Sequence, residues 1–135
     1  MIQPNIAALL KGPNFGTLTT LLEDGSPMSQ VMWVDCDDEH VLINTERHRK
    51  KYKNVMRDPR VSVTVWLRDD PYEYVEVRGR VVDVIKGDEA RSHIDTLSLK
   101  YDGVPYPSGR IKTERVVLKI APVRQREFLR QPHSE

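Results

Sequence analysis

The chain has 135 residues, 39% of them apolar and 30% charged, with a formal net charge of +1. That length is one domain, 1–135, with room for a real core, and the composition excludes disorder and the basic balance of a general nucleic-acid binder. No apolar run approaches the roughly 18 residues of a membrane span, and the single cysteine, Cys36, allows no internal disulfide. The N-terminus, "MIQPNIAALLKGPN", has neither a basic leader nor a long apolar core, so no signal peptide is read there and a cytoplasmic location is expected.

In chain order, Pro4 to Lys11 predicts a short helix, with proline in its first turn and Gly12 just past its end. Residues 15–45 predict three strands, rich in Thr and branched residues and separated by the turn clusters "EDGSP" and "DCDDE", with Cys36 read as a turn residue. "TERHRKKYKNVMRD", 45–58, predicts a helix with Tyr52, Val55 and Met56 at helical spacing, stopped before Pro59. "VSVTVW" alternates as a strand, "RDDPY" turns the chain, and "YVEVRGRVVDVI" is a long strand interrupted by Gly79. That glycine marks a bulge or a close backbone approach, or is simply tolerated. "GDEARSHIDTLSLKYD" predicts a helix with Ala90, Ile94, Leu97 and Tyr101 on one face, where His93 reads as a satisfied, half-buried histidine. "GVPYPSG" is a loop and "ERVVLKIAPV" the last strand. Six strands and three helices, mostly in hairpins, predict a mainly β fold: a six-stranded antiparallel β-barrel with flanking helices.

The near-zero net charge conceals an asymmetry. Glu23, Asp24, Asp35, Asp37, Asp38 and Glu39 precede a stretch holding Arg47, Arg49, Lys50, Lys51, Lys53, Arg57 and Arg60. Placed near a helix N-terminus, Arg47 to Lys53 oppose the helix dipole, and the pairs four apart, Arg47 with Lys51 and Arg49 with Lys53, repel. A phosphate reverses both signs, because free N–H groups beside Arg and Lys form an anion site. The competing reading is a solvated basic face.

Other chemistry is sparse. His40, His48, His93 and His133 are scattered without metal-ligand spacing, so no metal is expected, and no G-x-S-x-G, P-loop or G-x-G-x-x-G occurs. A chain without an evident acid–base set is better suited to hosting a cofactor that carries the hard chemistry.

Three segments, "FGTLTTLLEDGSPMSQVMWV", "LINTERHRKKYKNVMRDPRVSVTVW" and "YVEVRGRV", in this order, resemble the pyridoxamine 5'-phosphate oxidase-like split-barrel superfamily. More narrowly, they resemble its short members that use the deazaflavin coenzyme F-420. The most specific part is R-x-K-x-x-N-x-x-R-D-P-R, from Arg49 through Lys51, Asn54, Arg57, Asp58 and Pro59 to Arg60. The resemblance implies a six-stranded split barrel that pairs as a homodimer, with two flavin sites at the interface. It implies that Arg49 and Lys51 bind phosphate and that Ser29, Gln30, Val31 and Met32 line the ring system, partly through backbone groups. Asn54 and the D-P-R turn are expected to shape the helix-to-strand corner instead. Tyr72 stands where an aromatic of the second subunit covers the ring; Trp66 and Tyr74 are read either in that role or as core, and Arg115 is a further candidate on the last strand. No catalytic residue is assigned, and Tyr72 and water are the candidate proton donors.

Enzymes that oxidise pyridoxamine phosphate carry a longer C-terminal segment, so vitamin B6 oxidation is not expected. The basic cluster exceeds the needs of one FMN phosphate, and Arg47, Lys50 and Lys53 suit the phosphodiester and glutamate tail of F-420. The expected function is hydride transfer from reduced F-420 to a small electron-poor acceptor. The alternatives are an FMN-binding reductase of the same fold, or a non-enzymatic barrel that carries a coenzyme, a tetrapyrrole or single-stranded nucleic acid.

Overall fold

The computed structural model describes residues 1–130; His133 lies outside them. Its elements run α1 (Pro4–Lys11), β1 (Phe15–Leu21), β2 (Pro27–Trp33), β3 (Asp35–Cys36), β4 (Val41–Glu46), α2 (Lys50–Arg57), β5 (Arg60–Leu67), β6 (Asp70–Ile85), α3 (Gly87–Asp102), a 3-10 turn (Ser108–Arg110) and β7 (Arg115–Phe128). The seven strands form one curled antiparallel sheet in the order β2-β1-β5-β6-β7-β4-β3. The fold class is the mainly β one expected, with one strand more than the six predicted.

The extra strand is β3, inside the acidic cluster read as a turn. Cys36 pairs opposite Val41 and is buried in the core, so it is not a turn residue. The turn starts one residue later, where Asp37 Oδ1 accepts the backbone N–H groups of Glu39 and His40 at 2.8 and 2.6 Å. Its carboxyl is held below the ordinary range by these bonds, which outweigh the opposing effect of burial.

Alternating residues fill the concave side of the sheet. Leu18, Val63, Val65, Val75, Val77, Ile43, Leu118 and Ile120 form one cluster, into which α1 inserts Ile6 and Leu10. Full burial of each such aliphatic side chain contributes about 1.5–3 kcal/mol before its entropy cost. The 16-residue β6 must bend to follow the curl, and its register against β7 shifts between Arg78 and Gly79 and again between Val81 and Asp83. A Cβ at position 79 would run into the Ala121 carbonyl oxygen and lie 2.9 Å from Ile120 Cγ2. Gly79 is therefore both bulge and close approach, and the reading of a merely tolerated glycine is excluded.

The basic helix is shorter than predicted. Residue Glu46 belongs to β4, paired with Arg115 of β7, and α2 begins only at Lys50, with Arg49 as its N-cap. The cause is the burial of Glu46, which ties the chain to β7 and leaves 47–49 as a turn. Arg47 is thus off the helix, and the expected repulsion between Arg47 and Lys51 along it does not arise. Downstream, the corner forms as expected. Asn54 is fully buried and donates to Thr20 Oγ1 at 3.0 Å, and Asp58 pairs with Arg60 at 2.8 Å.

Helix α3 closes the gap between the sheet's two edges. At one end His93 meets Asp35 of β3 and Asn44 of β4. At the other, Tyr101 Oη receives the Val34 N–H at 3.0 Å and donates to Asn14 O at 2.5 Å, while Lys100 Nζ donates to the carbonyls of Leu10 and Val34 at 3.0 and 2.6 Å. Burial pushes the Tyr101 hydroxyl up to about 12, so it stays protonated as these bonds require.

Candidate functional site

A cavity of about 420 Å³ opens where the edges diverge, within the range of small-ligand sites. One wall is β2, through Gln30, Val31, Met32 and Trp33; the other is Asn44 and Thr45 of β4, with Ile94 and Leu97 of α3 between them. Among the described residues β2 pairs only with β1, so its free edge offers backbone N–H and C=O groups to a bound molecule. Arg49, Lys51, Arg110 and Arg115 bring positive charge to the lining, and Tyr106 adds an aromatic ring.

Arg115 is built in. Its Nε donates to Asn44 Oδ1 at 2.8 Å, its Nη1 to Glu46 Oε2 at 3.2 Å, and its guanidinium lies 5.3 Å from the Tyr106 ring centroid. Glu46 is buried, and its Oε1 accepts the N–H groups of Lys112 and Thr113 at 2.7 and 2.8 Å. Burial opposes the ionised form of Glu46, but these amides and Arg115 outweigh it and hold its carboxyl below the ordinary range.

Lys51 is different. It is half-buried and makes no ion pair among the described residues. Burial first, then the charges of Arg49 and Arg115, push its ammonium from 10.5 down to about 8. A lysine so placed lacks a counter-charge, and an anion in the cavity would supply one.

Aromatic rings pack beside these cations. Trp33 stacks on Tyr101, with ring centroids 5.1 Å apart, and meets Tyr106 edge-on at 6.3 Å. Tyr106 is fixed by its N–H bond to Asp95 Oδ1 at 3.0 Å, and Asp95 pairs with Arg91 at 2.8 Å. One cavity thus sets cations beside flat aromatic faces, a lining suited to a planar ring carrying an anionic group.

Of the residues singled out in the sequence, Gln30, Val31, Met32, Arg49, Lys51 and Arg115 meet at this cavity. Arg47, Lys50, Lys53, Ser29 and Tyr72 do not line it. Arg47 pairs with Glu114 at 3.4 Å, and Ser29 shares a hydrogen bond with Thr19 at 2.7 Å. Lys50 and Lys53 are exposed on α2, and Tyr72 is 79% exposed near the start of β6. Trp66 and Tyr74 face each other across β5 and β6, away from the cavity, and Tyr74 stacks on Phe128 at 4.6 Å. Sequence reasoning missed Trp33, Asn44, Thr45, Tyr106 and Arg110, and read Ile94 and Leu97 only as core. Asn44 and Thr45 carried a usable signal, standing at the strand end just before the basic cluster.

The chain belongs to the pyridoxamine 5'-phosphate oxidase family, whose profile matches residues 2–128. It is similar to the solved structure of an F-420 reductase, with 31% identity over 93% of this chain and 98% of that one and a TM-score of 0.80. A conserved hypothetical protein from Mycobacterium tuberculosis is 26% identical over 100% of this chain and 91% of that one, with a TM-score of 0.77. General Stress Protein 26 from Bacillus anthracis, 24% identical over 91% of this chain and 90% of that one, shares the fold with a TM-score of 0.69. No match was found among curated proteins.

Proposed function

We propose that the chain is an F-420-dependent oxidoreductase acting on a small electron-poor organic acceptor. The observation that carries this reading is Lys51, half-buried on the cavity wall with no acidic partner among the described residues and pushed down to about 8. The similarity to an F-420 reductase supports the choice of coenzyme. When bound, reduced F-420 supplies a hydride. The chain's own residues bind and orient: Arg49, Lys51 and Arg115 hold the phosphodiester, Trp33 and Met32 face the ring, and Ile94 and Leu97 keep water from its surroundings. Lys50 and Lys53, exposed on α2 beyond the cavity, extend the positive track toward a glutamate tail. Tyr72 is assigned to a neighbouring copy's cavity in a homodimer, where its ring would cover the coenzyme and its hydroxyl is the candidate proton donor.

A second reading, FMN in the same cavity, is favoured by one observation: the four cations on the lining already suffice for a single phosphate, and Arg47 is engaged by Glu114. Parallel titrations with F-420 and FMN separate the two. The F-420 reading expects binding at least about 10-fold tighter than FMN, the worth of one charge-assisted hydrogen bond in the tail. Tighter FMN binding would replace it.

A further inference from the structure

We infer that His93 is a positioning residue for the anionic end of the cavity, acting through Asn44 on Arg115. The inference rests on the cavity being an anion site, but not on which coenzyme fills it.

His93 reaches from α3 to the neighbouring strands β3 and β4. Its Nε2 lies 3.0 Å from Asp35 Oδ2 and its Nδ1 lies 3.1 Å from Asn44 Nδ2. Two other contacts show which end of the Asn44 amide is nitrogen. Its Nδ2 is 3.0 Å from the Ala90 carbonyl oxygen, which can only accept, and its Oδ1 is 2.8 Å from Arg115 Nε, which can only donate. Turned over, the amide would set oxygen against oxygen and N–H against N–H. The second Nδ2 proton therefore points at His93 Nδ1, which must be unprotonated, and the ring proton sits on Nε2 and goes to Asp35. The other Asp35 oxygen pairs with Lys11 at 3.3 Å. The Asp35 carboxyl is held below its ordinary range although burial opposes this, with the His93 bond the largest lowering influence. One tautomer of His93 satisfies the whole series from Lys11 to Arg115.

Arg115 gains its pose from this series. Nε is held by Asn44 and Nη1 by Glu46, while Nη2 makes no hydrogen bond among the described residues and remains for a ligand on the cavity lining. Without His93 the Asn44 amide keeps only Ala90 as a fixed acceptor, and its grip on Arg115 loosens.

The test uses the full-length ligand-free protein labelled with nitrogen-15, with pyrophosphate as the anion probe. In the parent, long-range proton–nitrogen correlations should show His93 as the Nε2–H tautomer and Arg115 Nε–H as a slowly exchanging resonance. In His93→Ala that proton should exchange about 10-fold faster, and pyrophosphate should bind about 3- to 10-fold more weakly, as expected for loss of one side-chain hydrogen bond. His93→Gln, whose amide supplies one acceptor and one donor, should restore most of both. If neither F-420 nor FMN binds the parent while these Arg115 effects appear, the coenzyme reading fails and the positioning role stands. An unchanged Arg115 Nε–H in a folded His93→Ala, or an Nδ1–H tautomer, overturns the positioning role and leaves the coenzyme reading in place.

Discussion

Glu46 and Lys51 flank one short turn and meet opposite fates: Glu46 is buried and fully partnered, and Lys51 is half-buried with no acid paired to it among the described residues. Removing Glu46 strands Arg115 and two backbone N–H groups, so Glu46→Ala should lower stability by about 3–5 kcal/mol, read from urea denaturation. Lys51 gives a pH dependence. Its folded pKa of about 8 lies below the ordinary 10.5, so between these values the unfolded chain holds the proton more firmly. Stability of the ligand-free protein should therefore rise with pH across that window, the penalty being fully present below it. Anion binding favours the charged ammonium, so affinity should fall as pH climbs through the same window. Isothermal titration in buffers of different ionisation enthalpy should detect proton uptake there. The pairing of Arg49 with Lys51 was legible in the sequence because it lies within three residues. The roles of Asn44 and Arg115 were harder to see, since they depend on a β4–β7 register spanning about seventy residues.

At the scale of elements, periodicity located both α1 and α3 correctly, because their apolar faces repeat over whole turns and glycine or proline marks their ends. It overextended α2, because "TERHRKK" has the composition of a helix while its first residues are taken by the sheet and by Glu46. It also missed β3, since two residues cannot show an alternation. Gly79 was legible as an interruption, and the structure supplies the reason in the Ala121 carbonyl. Gly79→Ala should push β6 from β7 at this bulge and cost about 1–3 kcal/mol, the usual range for overpacking. Equilibrium unfolding checks the loss, while Gly25→Ala, whose added Cβ meets nothing within 4 Å but whose φ is +85°, serves as a purely conformational comparison.

For the whole molecule, the curled sheet leaves its two edges apart and α3 across the opening, which is how one cavity collects residues from β2, β4, α2, α3 and β7. The loop that supplies Tyr106 and Arg110 carries no pattern that composition could reveal. Its position is set by a bond to Asp95 of α3 and by a long-range bond to Glu46 of β4. The proposed homodimer gives Tyr72 a purpose that 79% exposure on one chain does not. Light scattering at micromolar concentration should show a dimer, and Tyr72→Ala should weaken coenzyme binding without lowering the unfolding midpoint. A monomer would remove Tyr72 from the site.

In the proposed function, the cavity between β2 and β4 holds the anionic part of F-420 through Lys51. The most direct test is titration of F-420 into the parent protein and Lys51→Ala at neutral pH, followed by tryptophan fluorescence, since Trp33 lines the cavity. A charge-assisted hydrogen bond contributes roughly 1.5–3 kcal/mol, so the variant should bind about 10- to 100-fold more weakly, with ligand-free stability unchanged or slightly raised. Equal affinity in the two proteins would rule out Lys51 as the anion's partner and leave the basic cluster a solvated face.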